Sequence, residues 1–276
     1  MNTTTAAALP DLLRLADPGV REQLEALPAS MALIGHGANG QAVTVDVDAD
    51  PHVLVRTGGG AGSTTLLRTL TAQLLHHGAH ALVLDIQQVS HPWAHELPAV
   101  THRADVTGIH DALVGLVPEL RRRIDYIDQH GGYGGLPRLA VVFDGVDAAR
   151  RQLVRHWQTV RESGDPKVSP AVDALSTVLH VGRQARIHVL LDGRPTADVL
   201  GPQAREQFST VVLAQITADT WRHLAPTVGP APKGRPHPGR VHVVHHGTAR
   251  QAQVLHLTEG EATAWATPHP IGSTRR

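Results

Sequence analysis

Cysteine is absent from the 276-residue chain. Its absence excludes disulfides, thiolate chemistry and cysteine-ligated zinc together, and it fits a reducing cytoplasm. Lysine is nearly absent: Lys167 and Lys233 are the only two, so 23 of the 25 basic residues are arginines. Phosphate contacts in such a chain fall to arginine forks or backbone amides. An excess of either charge is also missing, the formal net charge being +0 at pH 7. Nothing global therefore demands nucleic acid, a membrane or an acidic partner. No apolar run approaches the ~18 residues of a membrane span. The N-terminus, MNTTTAAALPDLL, has neither the basic start nor the apolar core of a signal peptide. The expected location is cytoplasmic, with no membrane span in this chain.

Histidine, by contrast, is abundant, with 20 residues. Clusters stand at His76, His77 and His80, and at His242, His245 and His246. Even spacing would put His242 and His246 on one face of a strand and His245 on the other. No acidic residue that would orient a ligating imidazole stands beside either cluster. Compositional bias alongside abundant Ala, Gly and Arg is therefore preferred to a metal site.

Residues 1–40 read as a lead-in, helical in pieces, with near-helical apolar spacing interrupted at Pro18 and Gly19. QAVTVDV (41–47) alternates apolar and polar residues, as a half-exposed strand does. A regular pattern follows. HVLV (52–55), ALVLD (81–85), LAVVFD (139–144), IHVLLD (187–192) and TVVLA (210–214) are short continuous apolar runs. Helical spacing occupies 64–76, 109–129 and 170–185. Buried strands alternating with helices predict an α/β domain over 41–267, a mostly parallel sheet covered on both faces. VHVVH (241–245) and AQVLHL (252–257) predict a C-terminal antiparallel hairpin, then a short helix near 261–265 and a flexible tail over 268–276. HGGYGGLPR (130–138) reads as a crossover rather than a gate, and PTVGPAPKGRPHPGR (226–240) as a solvated linker rather than a polyanion contact.

One stretch points to chemistry. In VLVRTGGGAGSTTLLR (53–68) an apolar strand runs into a glycine cluster, two threonines and an apolar helix. Phosphate loops have this form, G-x-x-x-x-G-K-[ST], because backbone N–H groups freed by glycine converge on phosphate oxygens at a helix N-terminus. Lysine adds charge at the β/γ phosphates, and the following Ser/Thr holds Mg²⁺. Here Gly62 and Thr64 fit the frame, Thr57 replaces the first glycine and Ser63 replaces the lysine. The candidate phosphate contacts are Gly58, Gly59, Gly60, Ala61, Gly62, Ser63, Thr64 and Thr65. The apolar strand ending at Asp144 supplies the expected acidic partner, so Thr64 and Asp144 are the candidate Mg²⁺ contacts, the latter through water. Arg56 and Arg68 are candidates to lend charge beside the loop.

With these motifs in place the chain resembles the FtsK/SpoIIIE family of P-loop ATPases, the ring-forming DNA pumps, over roughly residues 30–265. The resemblance rests on residues 43–75, on DALVGLVPELRRR (111–123), on LPRLAVVFDGVD (136–147), on VLHVGRQARIHVLLDGRPTADVL (178–200), on FSTVVLAQITADTWRHL (208–224) and on KGRPHPGRVHVV (233–244). It implies a RecA-like P-loop fold, ATP with Mg²⁺, double-stranded DNA as partner, and assembly as a homo-oligomer or with an active relative. It also implies that Asp144 serves catalysis and that Arg183, with Arg186, reaches a neighbour's phosphate in a ring. Surface arginines favouring a helix C-terminus are the competing reading of that pair.

The departures from the family matter as much. Ser63 stands for the Walker A lysine, Gly145 for the Walker B glutamate, Gly193 for the glutamine of the phosphate sensor, and Gln87 for the lysine after strand two. Losing one preorganised transition-state donor costs roughly 3–4 kcal/mol, or 10²–10³ in rate, and joint losses go further though not additively. The expectation is nucleotide binding with weak or no hydrolysis. The alternative is a catalytically dead pseudo-ATPase that binds protein, as in degenerate EccC-like domains of type VII secretion.

Overall fold

The computed structural model describes residues 9–194, 200, 203–233 and 236–267. Eleven strands form a single sheet. They are β1 (Leu13–Arg14), β2 (Met31–His36), β3 (Ala42–Asp46), β4 (His52–Thr57), β5 (His80–Asp85), β6 (Val100–Arg103), β7 (Leu139–Asp144), β8 (Ile187–Asp192), β9 (Thr210–Ala214), β10 (Arg240–His245) and β11 (Thr248–His256). Their order is β3-β2-β11-β10-β9-β4-β8-β7-β5-β6, with β1 joined to β11. The block from β9 to β6 is parallel, whereas β10, β11, β2 and β3 extend it with antiparallel pairs.

The parallel strands other than the edge strand β6 read as continuous apolar runs because alternate side chains enter separate cores. Val53 and Val55 of β4 join one core while Leu54 joins the other, and β7 divides likewise into Ala140 and Val142 against Val141 and Phe143. On the first face lies α2 (Ser63–His76), covered in turn by α7 (Glu259–Ala266). On the second lie α3 (Val106–His130), α4 (Val146–Val160) and α5 (Pro170–Val181). Among the described residues α1 (Val20–Glu25) and α6 (Ala218–Leu224) are further helices.

Burial on nearly every side of α2 explains its unusual polar content. Every residue from Leu66 to Leu75 is buried, so the side chains of Thr69 and Gln73 must find partners inside. Gln73 accepts from the Leu33 amide at 2.7 Å and donates to the Leu33 carbonyl at 3.0 Å, and Thr69 donates to the Leu255 carbonyl at 3.2 Å. These bonds attach β2 and β11 to the helix that follows the glycine loop.

Several elements depart from the expectations. The stretch expected as a lead-in over 1–40 adds α1, β1 and β2 to the same sheet where it is described. Helix α4 was not expected, because only Val146, Ala149 and Leu153 are buried and its other positions are rich in arginine. His246 does not continue the face of His242: β10 ends at His245, and His246 turns away at φ 43°. The crossover 130–138 is pinned, with Tyr126 donating to the Gly134 carbonyl at 2.6 Å and Arg123 donating to the Pro137 carbonyl at 2.8 Å. Residues 195–199, 234–235 and the expected tail 268–276 lie outside the described residues.

Candidate nucleotide site

The C-terminal ends of the parallel strands form one edge of the sheet, where open α/β sheets bind their ligands. The glycine loop follows β4 there. Strand β8 lies between β4 and β7, so Asp192 at the end of β8 stands between the loop and Asp144 at the end of β7. One strand further on, Asp85 at the end of β5 is in register with Asp144. Three neighbouring strands thus end in carboxylates beside the loop.

The loop spends few of its amides on the fold. Gly58 N–H donates to Ala214 at 2.9 Å and Ala61 N–H to Gly58 at 3.1 Å. Among the described hydrogen bonds none uses the amides of Gly59, Gly60, Gly62, Ser63, Thr64 or Thr65. The first turn of any helix leaves such donors unpaired, and the dipole there favours an anion. Gly60 and Gly62 take φ of 73° and 98°, the left-handed region that turns these amides outward, and a Cβ on Gly58 would sit 2.6 Å from the Gln215 carbonyl oxygen. The backbone therefore fits a phosphate chain without a lysine.

The cation contacts converge as well. The Thr64 hydroxyl donates to Asp144 Oδ2 at 2.7 Å. The pairing spans 80 residues of sequence and places the two expected Mg²⁺ contacts side by side. His91, fully buried, brings Nε2 to 3.2 Å from the same Asp144 oxygen. The contact falls outside strict hydrogen-bond geometry. Its other ring nitrogen accepts from Trp93 Nε1 at 3.2 Å. Burial pushes the Asp144 carboxyl up, but His91 and the Thr64 hydroxyl outweigh burial and hold it below the usual carboxylate range.

His91 reaches this position through Asp85. One Asp85 oxygen accepts from the amides of Gln87 and Gln88, both at 3.1 Å, and the other from Ser90 at 2.7 Å and His91 at 3.1 Å. The strand end is folded back on its own carboxylate. Neither His91 nor Asp192 was singled out from the sequence. His91 lies outside the expected motifs, whereas Asp192 lies within the stretch 178–200 and IHVLLD marked it as the end of a buried strand.

Asp192 carries the largest perturbation at this edge. Burial, reinforced by the charge of Asp144, pushes its carboxyl up to about 7, against the opposing influence of Arg56 and the Ser63 hydroxyl. The residue in the lysine position is therefore a hydroxyl turned to a carboxyl. Of the two arginines expected to lend charge, Arg56 remains beside the cluster, 4.0 Å from Asp147. Arg68 does not serve: its guanidinium donates to the Leu257 carbonyl at 3.1 Å and faces Glu259 at 3.6 Å. Arg183 and Arg186 precede β8 and lie at the opposite edge of the sheet from this chain's own loop.

The other two eroded positions are glycines in left-handed backbone. Gly145 has φ 70° and caps α4, and a Cβ there would meet the Gln87 side chain at 3.2 Å. Gly193 has φ 145°, and a Cβ there would lie 2.4 Å from Val146 Cγ1. A cavity of about 440 Å³ opens beside Gly60, Ala61 and Gly62 and extends between Leu12, Thr65, Pro238 and Val254. It falls within the size range of small-molecule sites.

No family model and no curated protein matches the chain. Solved structures do. The pCW3 conjugation coupling protein TcpA, in its monomer form with ATPγS, superposes with a TM-score of 0.72 at 17% identity, over 92% of this chain and 72% of TcpA. EssC (ATPases 2 and 3) from Geobacillus thermodenitrificans gives 0.68 at 13% identity, over 96% of this chain and 51% of that one. The cytoplasmic domain of the type VII secretion ATPase EccC from Thermomonospora curvata gives 0.65 at 16% identity, over 91% of this chain and 28% of that one. Among the described residues no helix is long and apolar enough to cross a membrane. Identities this low speak to architecture alone, and the architecture of this chain is the P-loop NTPase fold that these structures share.

Proposed function

We propose that this chain binds ATP with Mg²⁺ on the loop Gly58–Thr65 and hydrolyses it weakly or not at all. It would act in an assembly of the DNA-transfer type, with itself or with an active relative. The observation that carries this reading is the pairing of a glycine cradle with unspent amides and a Thr64–Asp144 contact of 2.7 Å beside it. In that reading the amides of Gly60 and of Gly62 to Thr65 receive the phosphates, Thr64 and Asp144 hold the cation, the latter through water, and the adjoining cavity takes the nucleoside. Bound Mg²⁺ would supply the positive charge that Ser63 does not. Neutral net charge disfavours tight DNA binding by one copy, so duplex DNA would be held on its phosphates by several copies together.

Calorimetric titration with ATP, with and without Mg²⁺, tests this, followed by hydrolysis assays with and without duplex DNA. Binding is expected to need Mg²⁺ and to weaken in Thr64→Val, with turnover near background. Absence of binding at millimolar ATP would remove the nucleotide reading.

A second reading, a protein-docking module without turnover, is favoured by one observation. Gly145 and Gly193 both stand in left-handed backbone, which a glutamate or glutamine there would strain. Duplex-independent capture of a partner ATPase domain, with no effect of ATP, would favour that module over the motor.

A further inference from the structure

We propose that Asp50, His245 and His246 form a binding site for a divalent transition-metal ion of the Zn²⁺ class, at the sheet edge opposite the phosphate loop. The residues meet although Asp50 and His245 are 195 positions apart. Asp50 closes the turn between β3 and β4, where its amide donates to the Asp46 carbonyl at 2.7 Å. His245 ends β10, paired with Thr210 at the start of β9. His246 and Gly247 follow with φ of 43° and 74°, two consecutive left-handed residues as in a two-residue type I′ hairpin turn.

This turn decides where His246 goes. It folds the His246 ring against that of His245, with centroids 4.0 Å apart. Both Nε2 atoms then face one carboxylate: His245 lies 2.6 Å from Asp50 Oδ2 and His246 lies 3.7 Å from Asp50 Oδ1. One ligand atom from each of the three residues falls within 4.8 Å of the others. Zinc bound tetrahedrally at ~2.0–2.2 Å needs ligand atoms about 3.3 Å apart. The 2.6 and 3.7 Å distances run to different oxygens of the one carboxylate, so closing on an ion asks the exposed His246 ring to move in from within 4.8 Å.

The burial pattern suits a metal. The Asp50 side chain is only 9% exposed, which fixes the carboxylate, while that of His246 is 73% exposed, which lets its ring close on an ion. Among the described residues no lysine or arginine bridges Asp50, and its ion-pair partners are the two imidazoles. A buried carboxylate facing two imidazoles is a donor set that Zn²⁺ and its neighbours Ni²⁺ and Cu²⁺ prefer, whereas Mg²⁺ prefers oxygen. Three protein ligands leave a fourth position for water on the exposed side of His246. The site lies at the N-terminal ends of β4 and β9, the far edge from Thr64 and Asp144.

Zn²⁺ titration of the full chain against a chromophoric chelator tests the site, with X-ray absorption on the equimolar complex. The expected spectrum has two imidazole nitrogens and a carboxylate oxygen at ~2.0–2.2 Å. His246→Asn keeps a residue tolerant of the left-handed turn while removing a ligand. It is expected to unfold at the temperature of the metal-free wild type, to lose the Zn²⁺-induced rise in melting temperature, and to bind Zn²⁺ at least about tenfold more weakly. Asp50→Asn should weaken binding to a similar degree. Wild-type Zn²⁺ affinity in both variants would overturn the proposal, since 20 histidines offer other places for the ion. So would a spectrum without two imidazoles.

Discussion

Asp192→Asn isolates the charge that the missing lysine has left behind. In the fold the Asp192 carboxyl is pushed from its ordinary 3.8 up to about 7, first by burial and then by Asp144. The folded chain therefore keeps this proton up to about pH 7, while the unfolded chain releases it near 3.8. The unfolded state binds fewer protons across that window, so stability falls as pH rises through it. At about 1.36 kcal/mol per pH unit, an ionised Asp192 costs the folded state on the order of 4 kcal/mol above pH 7. Asparagine has nearly the same shape, stays neutral and still accepts from Ser63.

Denaturant unfolding at pH 5 and pH 8 measures the effect. Two of the roughly three units lie between pH 5 and 7, so the stability of Asp192→Asn relative to wild type is expected to improve by about 2.7 kcal/mol between the two conditions. Comparing the proteins at each pH cancels His52 and His188, whose buried imidazoles titrate in the opposite sense. A gap that changes by less than about 1 kcal/mol would refute the placement of Asp192 as a buried carboxyl pressed against Asp144. The same replacement removes a negative charge facing the proposed phosphates. ATP affinity is thus expected to rise more at pH 8 than at pH 6.

The other expectations follow from neighbouring geometry. Gly58→Ala forces a Cβ against the Gln215 carbonyl and should cost about 1–3 kcal/mol and abolish ATP binding, whereas Gly59→Ala, with open space around it, should leave thermal stability unchanged. Ser63→Lys restores an ammonium beside Asp192 and Asp144. It should tighten ATP binding in calorimetry without turnover, and adding Gly145→Glu should cost about 1–2 kcal/mol in denaturant unfolding because that residue sits at φ 70°. Measurable hydrolysis by the double variant would show that the site retains working geometry. His188 is 1% exposed, has neither ring nitrogen hydrogen-bonded, and is held down to about 4 by burial. Stability is lost as pH falls from 6.5 toward 4, so His188→Leu should gain about 2 kcal/mol on wild type between pH 7.5 and pH 5, read from paired melts.

What was legible in the sequence was the part fixed by local pattern. The apolar runs at 52–55, 81–85, 139–144, 187–192 and 210–214 are five of the six parallel strands, because each faces a core on both sides, whereas the half-exposed edge strand β6 carries no apolar run. The glycine loop and the helix after it were equally plain, since backbone conformation there is written in glycine. Elements held by distant side chains were not. Strand β2 depends on Gln73, 40 residues away, and His91 reaches the site only because Asp85 gathers four amides. The histidine pair near 245 looked compositional because its carboxylate, Asp50, comes from the other end of the chain.

The erosion of the site also reads differently in three dimensions. In sequence, Ser63, Gly145 and Gly193 are three separate substitutions away from a familiar pattern. In the fold they are coupled through charge and space. Without a lysine, the charge of Asp144 acts on Asp192 and that of Arg56 opposes it. His91 lies against the first carboxylate, and the second takes up a proton near pH 7. Val146 meanwhile occupies the space that a side chain at 193 would need. A lysine returned to position 63 would therefore enter a site whose charges have been rebalanced and whose sensor position is filled. That is why its effect is expected on binding, where the amides and Thr64 persist, and not on hydrolysis, since a side chain at 145 or 193 would be strained by φ of 70° or 145°.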